Sequence, residues 1–345
     1  MSAYTLAILK ELDNAIEPLQ DYLVRSIYFG GGTPSYLPPT DIQQILETCR
    51  AHLLLSSDLE VTLESNPEDI SENSVTAYAQ MGINRLSLGI QAWQPQILEF
   101  LGRKTSTDLL KKSLSIAQKS SIPVISHDLI FGIPGQTLAD WEESLSICTS
   151  FAPQHISCYS LEIHPGSTFG QLHAAGRFPV EPPELDRQMS HLAEEFLANR
   201  GYQQYEISNY AQPNAACLHN QLFWQNQPYW GFGAGAHSFV AQKRWCQPEN
   251  INQYLKQIMS GEPEPERITE TNWETAQLAL NLALRTAVGV DLAGYNRQFG
   301  HCVQLDDRVV AELKASGHLH SSPNFLILTR KGRDVSDWIV QRLVK

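Results

Sequence analysis

Four polar side chains stand where apolar runs end: Glu64 in LESNP, Gln91 in SLGIQAW, Arg103 in LGRKTS and Asp128 in SHDLIFGIPGQT. A carboxylate accepts from cations and hydroxyls, an amide donates and accepts, and a guanidinium makes a planar fork for a carboxylate. A fifth feature precedes them. In IYFGGGTPSYLPP (residues 27–39) three apolar residues run into Gly30, Gly31, Gly32 and Thr33. Glycine lacks a Cβ, so backbone amides there can lie close against a ligand. Each signal alone has a plainer reading. An isolated GGG is equally a tight strand-to-helix turn, Asn66-Pro67 a surface turn and Arg103 a solvated arginine. Asp128 is harder to dismiss, because a charge within an apolar strand is expensive to bury unless something satisfies it. The glycine spacing is neither G-x-G-x-x-G nor a P-loop.

The elements that must position these residues alternate. Strands are expected at Ser26–Phe29, Leu59–Leu63, Arg85–Ile90, Pro123–Ile130 and His155–Leu161. Helices are expected between them at Pro39–His52, Glu72–Met81, Pro95–Leu101, Thr107–Lys119 and Leu138–Thr149. Such alternation gives a parallel sheet covered by helices. Gly30–Thr33, Glu64, Gln91, Asp128 and Glu162 all follow or close a strand. A β/α barrel brings its C-terminal strand ends to one mouth, whereas an open Rossmann sheet concentrates its ligand contacts at a switch point. The reading is therefore an α/β barrel with five of its strands in evidence.

Beyond Pro165 the pattern changes. A long helix is expected at Glu184–Arg200, a strand at Gly201–Ala211 and a glycine-rich loop at Gly231–Ser238. Helices at Trp273–Arg285 and Asp307–Ser316 and a hairpin at Leu319–Leu328 then suggest a winged-helix-like C-terminal subdomain. Three regions are expected: a partial barrel at 1–165, a connecting α+β region at 166–265 and the helical and hairpin subdomain at 266–345.

The bulk numbers exclude several classes. A net charge of −12 over 345 residues argues against nucleic-acid binding, which needs a basic face. No apolar run is long enough to span a membrane. The N-terminal segment reads as an amphipathic helix with Leu6, Leu9, Leu12 and Ile16 on one face, not as a signal peptide. Cys49, Cys148, Cys158, Cys217, Cys246 and Cys302 are scattered with no C-x-x-C pair, the pattern of reduced thiols in a cytoplasmic protein.

In order and spacing, GGGTP, ESNP, GIQ, LGR, DLIFGIPGQT, YEISNYA, CLHN and GAGAHS resemble the radical S-adenosylmethionine proteins of the oxygen-independent coproporphyrinogen III oxidase-like family, over nearly the whole chain. The resemblance implies a (β/α)6 radical-SAM-type barrel. It also implies S-adenosylmethionine bound by Gly31, Gly32, Thr33, Glu64, Gln91, Arg103 and Asp128. An ammonium needs an acceptor, its carboxylate a guanidinium and the ribose hydroxyls further acceptors, so these residue types suit that cofactor.

One departure is large. The family binds a [4Fe–4S] cluster through C-x-x-x-C-x-x-C on the loop after the first barrel strand. This chain carries no such motif, and it opens near the family's first barrel helix. The expectation is thus a partial barrel lacking its first strand. Either the start lies upstream of Met1 or the chain is a relative without a cluster. The cost of an exposed sheet edge favours the former. No catalytic residue and no resident metal ligand is assigned.

Within the family, the heme chaperone branch resembles the sequence more than the oxidases do. Its signature H-N-x-x-Y-W meets CLHNQLFW, which keeps His219, Asn220 and Trp224 but has Phe223 for the tyrosine. That makes His219 the candidate heme ligand, against a plain hydrogen-bonded histidine beside aromatics. The implied partners are heme and heme-accepting apoproteins, with a homodimer left open. Decarboxylation of coproporphyrinogen is the alternative activity. An ordinary barrel lyase ranks last, since no strand end offers a Schiff-base lysine or a metal triad.

Overall fold

The computed structural model describes residues 2–179, 182–261, 265–300, 302–320 and 322–344. Elements run α1 (Ala3–Leu19), β1 (Val24–Phe29), α2 (Pro39–His52), β2 (Leu55–Ser65), α3 (Glu72–Gln80), β3 (Arg85–Gln91), α4 (Pro95–Phe100), α5 (Thr107–Lys119), β4 (Val124–Phe131), α6 (Leu138–Ser150), β5 (His155–Ser160), α7 (Thr168–Ala174), α8 (Pro183–Ala198), β6 (Gln203–Gln204), β7 (Asn209–Ala211) and α9 (Leu218–Trp224). Seven strands form one sheet in the order β1-β2-β3-β4-β5-β7-β6. The pairs β2/β3, β3/β4 and β4/β5 are parallel, while β7 runs antiparallel to β5 and to β6. This is an open, curled part of a barrel.

Two elements differ from expectation. β2 begins at Leu55, because the polar stretch Ser56-Ser57-Asp58 hides its first turn of sheet from a hydrophobicity reading. The single strand expected at Gly201–Ala211 is two short strands joined by a turn. Glu206 fills that turn, accepting from the Ser208 amide at 3.1 Å and from the Asn209 side chain.

The chain divides into two compact units, each discontinuous in sequence. The first comprises residues 27–39 and 60–216 and contains the parallel strands. Parallel strands covered on both faces usually read as continuous apolar runs. Here β2 to β5 alternate. Val61, Leu63, Leu86, Leu88, Ile125, Leu129 and Ile156 are buried on one face. The opposite face carries Thr62, Glu64, Arg85, Ser87, Ser126, Asp128, His155 and Ser157. Register aligns them in rows: Glu64 with Ser87, Ser126 and His155, then Gly89 with Asp128 and Ser157. Most of these polar side chains are buried, so the polar face is enclosed and must satisfy itself.

The second unit comprises residues 1–26, 40–59 and 217–345. α1 turns a different face to the interior than its leucines suggested: Thr5, Ala7, Glu11, Leu12, Ala15 and Leu19 are buried and Leu6 is exposed. The reason is Glu11. Its carboxylate accepts from the Gly233 amide at 2.9 Å, Gln247 Nε2 at 2.5 Å and the Tyr254 hydroxyl at 2.7 Å. An antiparallel hairpin, β8 (His237–Val240) with β9 (Lys243–Cys246), was not anticipated. The C-terminal helices have their own core, centred on Leu280, Leu284, Leu313, Leu326 and Ile339. Of the hairpin expected over Leu319–Leu328, Ser321 lies outside the described residues, and Leu319 and Leu328 form an antiparallel bridge. Among the described residues no helix is long and apolar enough to cross a membrane.

Candidate functional site

The glycine loop leaves β1 and folds against the end of β2. Glu64 Oε1 accepts from the Tyr28 hydroxyl at 2.7 Å and Oε2 from the Gly31 amide at 3.3 Å. The three glycines have three reasons. A Cβ on Gly30 would lie 2.5 Å from the Tyr28 ring and 2.8 Å from Glu64 Oε1, so a side chain there expels the carboxylate. Gly31 has φ +98°, which an L side chain rarely adopts. Gly32 faces open space, with nothing within 4 Å of a Cβ. The loop thus meets Glu64 at Gly30 and Gly31 and lies open at Gly32.

Asn66, two residues on from Glu64, ties the remaining polar groups together. Its Nδ2 donates to Thr33 Oγ1 at 3.3 Å, and its Oδ1 accepts from Arg103 Nη1 at 2.9 Å. The LGR motif works through its glycine. Gly102, at φ +71°, ends α4, and the Arg103 amide bonds back to the Leu98 carbonyl at 2.9 Å. This left-handed helix stop turns Arg103 back toward Asn66. Gln91 sits where the β3/β4 register shifts, itself at φ +69°. A non-glycine residue there costs about 1–3 kcal/mol. Its amide lies over Gly89, where a Cβ would come within 2.9 Å of Nε2 and 3.9 Å of Asn66 Oδ1. Sequence reasoning missed Tyr28 and Asn66. The spacing Glu-x-Asn, which puts both side chains on one strand face, was the signal for Asn66.

Asp128 lies within β4 rather than at its end. Its Oδ2 accepts from Ser87 Oγ at 2.7 Å and its Oδ1 from Ser126 Oγ at 3.3 Å. Burial raises the pKa of Asp128, opposed by these hydroxyls, by Ser157 and by Arg85. Glu64 is raised too, by burial and by the charge of Asp128, against the donors Tyr28 and Gly31. Two half-buried carboxylates whose fields reach one another make this face favourable for a cation.

His219 belongs to the other unit. It sits on α9, and its Nδ1 is 3.2 Å from Ser26 Oγ. Its ring lies 6.4 Å from that of Phe223, which is 4.6 Å from Tyr229. α9 has no buried residue, and Phe223 is 43% exposed.

The polar mouth of a half-barrel built this way defines a class. The radical SAM superfamily matches residues 3–148. Coproporphyrinogen III oxidase (HemN) from Escherichia coli has the same fold, with a TM-score of 0.83 at 20% identity over 98% of this chain and 82% of that one. The heme chaperone HemW of Bacillus subtilis is 32% identical over 333 residues, covering 96% of this chain and 88% of that protein. The HemW of Synechocystis is 37% identical over 295 residues, covering 84% and 71%. The chain belongs to the HemW family of the radical SAM superfamily.

Membership implies S-adenosylmethionine and a [4Fe–4S] cluster as cofactors. The residues present suit the first: an acidic pair, a guanidinium and an open glycine loop. Among the described residues no three His, Cys, Asp or Glu side chains converge to hold a metal. Burial pushes the Cys49 thiol up to about 11 and raises Cys148 and Cys158 further.

Tyr28→Phe removes the shorter of the two donors to Glu64. The Glu64 carboxyl, followed by 13C NMR titration, should therefore titrate at higher pH than in the wild type. A raised folded pKa means that stability present at low pH is lost as pH rises through that value. The variant should lose relatively more stability than the wild type on going from acid to neutral pH. An unmoved titration would show that the tyrosine does not support the charge.

Proposed function

We propose that the chain is a heme chaperone-like protein that binds S-adenosylmethionine at the mouth of the parallel sheet and heme against α9, for delivery to apoproteins. The observation that carries the heme reading is α9 itself. A histidine pinned through Nδ1 by Ser26 shares a seven-residue helix with Leu218, Leu222, Phe223 and Trp224, none of them buried. Imidazole is a common axial ligand of heme iron, and this ring is oriented through Nδ1 by Ser26. The apolar side chains can cover a flat macrocycle, gaining about 25 cal/mol per Å² removed from water. The names of the relatives, heme chaperones, support the same reading.

For S-adenosylmethionine, Glu64 receives the ammonium and Arg103 the carboxylate. The Gly31 and Gly32 region and Thr33 lie along the methionyl end. Gln91 and Asp128 take up the ribose hydroxyls. When bound, the cofactor supplies an activated sulfonium. We further propose that the cysteines of this chain hold no [4Fe–4S] cluster by themselves.

Four measurements test these assignments. His219→Ala should shift the Soret band of the hemin complex or weaken hemin retention while far-UV circular dichroism stays unchanged. An unaltered spectrum and affinity would reject His219 as ligand. Formation of the decarboxylated porphyrinogen from coproporphyrinogen would favour the oxidase activity instead.

Arg103→Ala removes a charge-assisted hydrogen bond of about 1.5–3 kcal/mol, so calorimetry should show S-adenosylmethionine bound about tenfold more weakly or worse. Equal affinity would remove Arg103 from the site.

Anaerobic reconstitution followed by iron and sulfide analysis should give far less than one cluster per chain. Stoichiometric four-iron incorporation would overturn that assignment.

A further inference from the structure

A chain of hydrogen bonds reaches Asp128 along the polar face. The Tyr205 hydroxyl lies 2.9 Å from His155 Nε2, and His155 Nδ1 lies 2.8 Å from Ser126 Oγ. Ser126 Oγ is 3.3 Å from Asp128 Oδ1. His155 and Ser126 are each 2% exposed, so their polar atoms have no recourse to bulk water. Burial and the charge of Arg85 hold His155 neutral, well below its ordinary pKa.

With Asp128 ionised and taking the Ser126 hydrogen, the hydrogen count sets the direction of the rest of the chain. An ionised carboxylate only accepts, so the single hydrogen of Ser126 goes to Asp128. Ser126 must then accept from His155 Nδ1–H. A neutral imidazole carries one N–H, so Nε2 accepts from the Tyr205 hydroxyl. If His155 took the opposite tautomer, Ser126 would turn its hydrogen to Nδ1 and Asp128 would lose a donor.

We infer that His155 is a positioning residue for Asp128: with Tyr205 it locks the Ser126 hydroxyl onto the carboxylate and so keeps Asp128 an ionised acceptor for bound ligand. This rests on the reading that Asp128 faces S-adenosylmethionine. The other groups electrostatically coupled to Asp128 are Glu64 on β2, Arg85 on β3, and Cys158 and Tyr159 on β5, and Glu206 in the turn between β6 and β7 acts on Tyr159. Burial raises Glu206 to about 7. Of these groups only Arg85 is a cation, so the hydroxyl donors carry much of the burden of holding Asp128 charged.

The test has two arms on the full chain. The first needs no ligand. With 15N-labelled histidine, assigned through His155→Asn, the His155 ring should show Nδ1–H at neutral pH, and Tyr205→Phe should move it toward Nε2–H. An Nε2–H ring in the wild type would overturn the inference.

The second arm titrates S-adenosylmethionine against pH. Tyr205→Phe should move the acid limb of binding up by about half a unit or more, with affinity at pH 8 within about twofold. His155→Asn, whose amide can still donate to Ser126, should keep the wild-type limb, while His155→Leu should move it. A tautomer that swaps without moving the limb also overturns the inference. Wild-type protein that binds no S-adenosylmethionine at any pH sinks the cofactor assignment, and the imidazole signal then decides the hydrogen-bond chain alone.

Discussion

The enclosed polar face of the parallel sheet is the constraint from which most of the first unit follows. A buried carboxylate must be solvated by the protein, and Glu64 is solvated by a hydroxyl on β1 and an amide in the loop after it. That forces glycine at position 30, where any side chain would occupy the space of the carboxylate. The same demand recurs two strands on, where Asp128 is surrounded by serines from β3, β4 and β5. Serine is the economical answer at such positions. It brings a donor without a competing charge, and it is small.

The second unit obeys the same rule with different parts. Glu11 is a buried acid on the first helix, and its donors come from residues more than 220 positions away. Removing the carboxylate would leave three buried donors unpaired, each at a cost of about 1–3 kcal/mol. The start of the chain is thereby tied to the glycine-rich loop at 231–238 and to the helix Ile251–Ser260. A unit assembled from sequence-distant pieces in this way has no boundary that composition could reveal.

Much of the fold could be read from the residues because its signals are local. α2 and α5 carry their stripes and end at the residues expected, and β3 and β4 are apolar on one face and closed by turn residues. What escaped was non-local. Asn66, Ser126 and His155 look like ordinary polar residues until register brings their strands side by side. The inward face of α1 was misjudged because a charged residue, Glu11, is satisfied by partners that periodicity cannot see. The bend at Glu206 split one expected strand into two, since a buried acid fits the turn better than a continuous ladder. Gln91 and Arg103 were found by residue type, but their aim depends on a register shift and on a left-handed glycine.

The lack of burial along α9 has a consequence for its energetics. Two turns of helix are too short to be stable by propensity alone, and none of residues 218–224 is fully buried. Segments without fully buried side chains open at lower free energy than a packed core such as the leucine core under the C-terminal helices. A segment that opens cheaply can close around one occupant and release it again without disturbing either core. Tight capture would require the opposite, a binding surface as rigid as the sheet. Transient custody of a cargo is the regime that a weakly anchored helix favours.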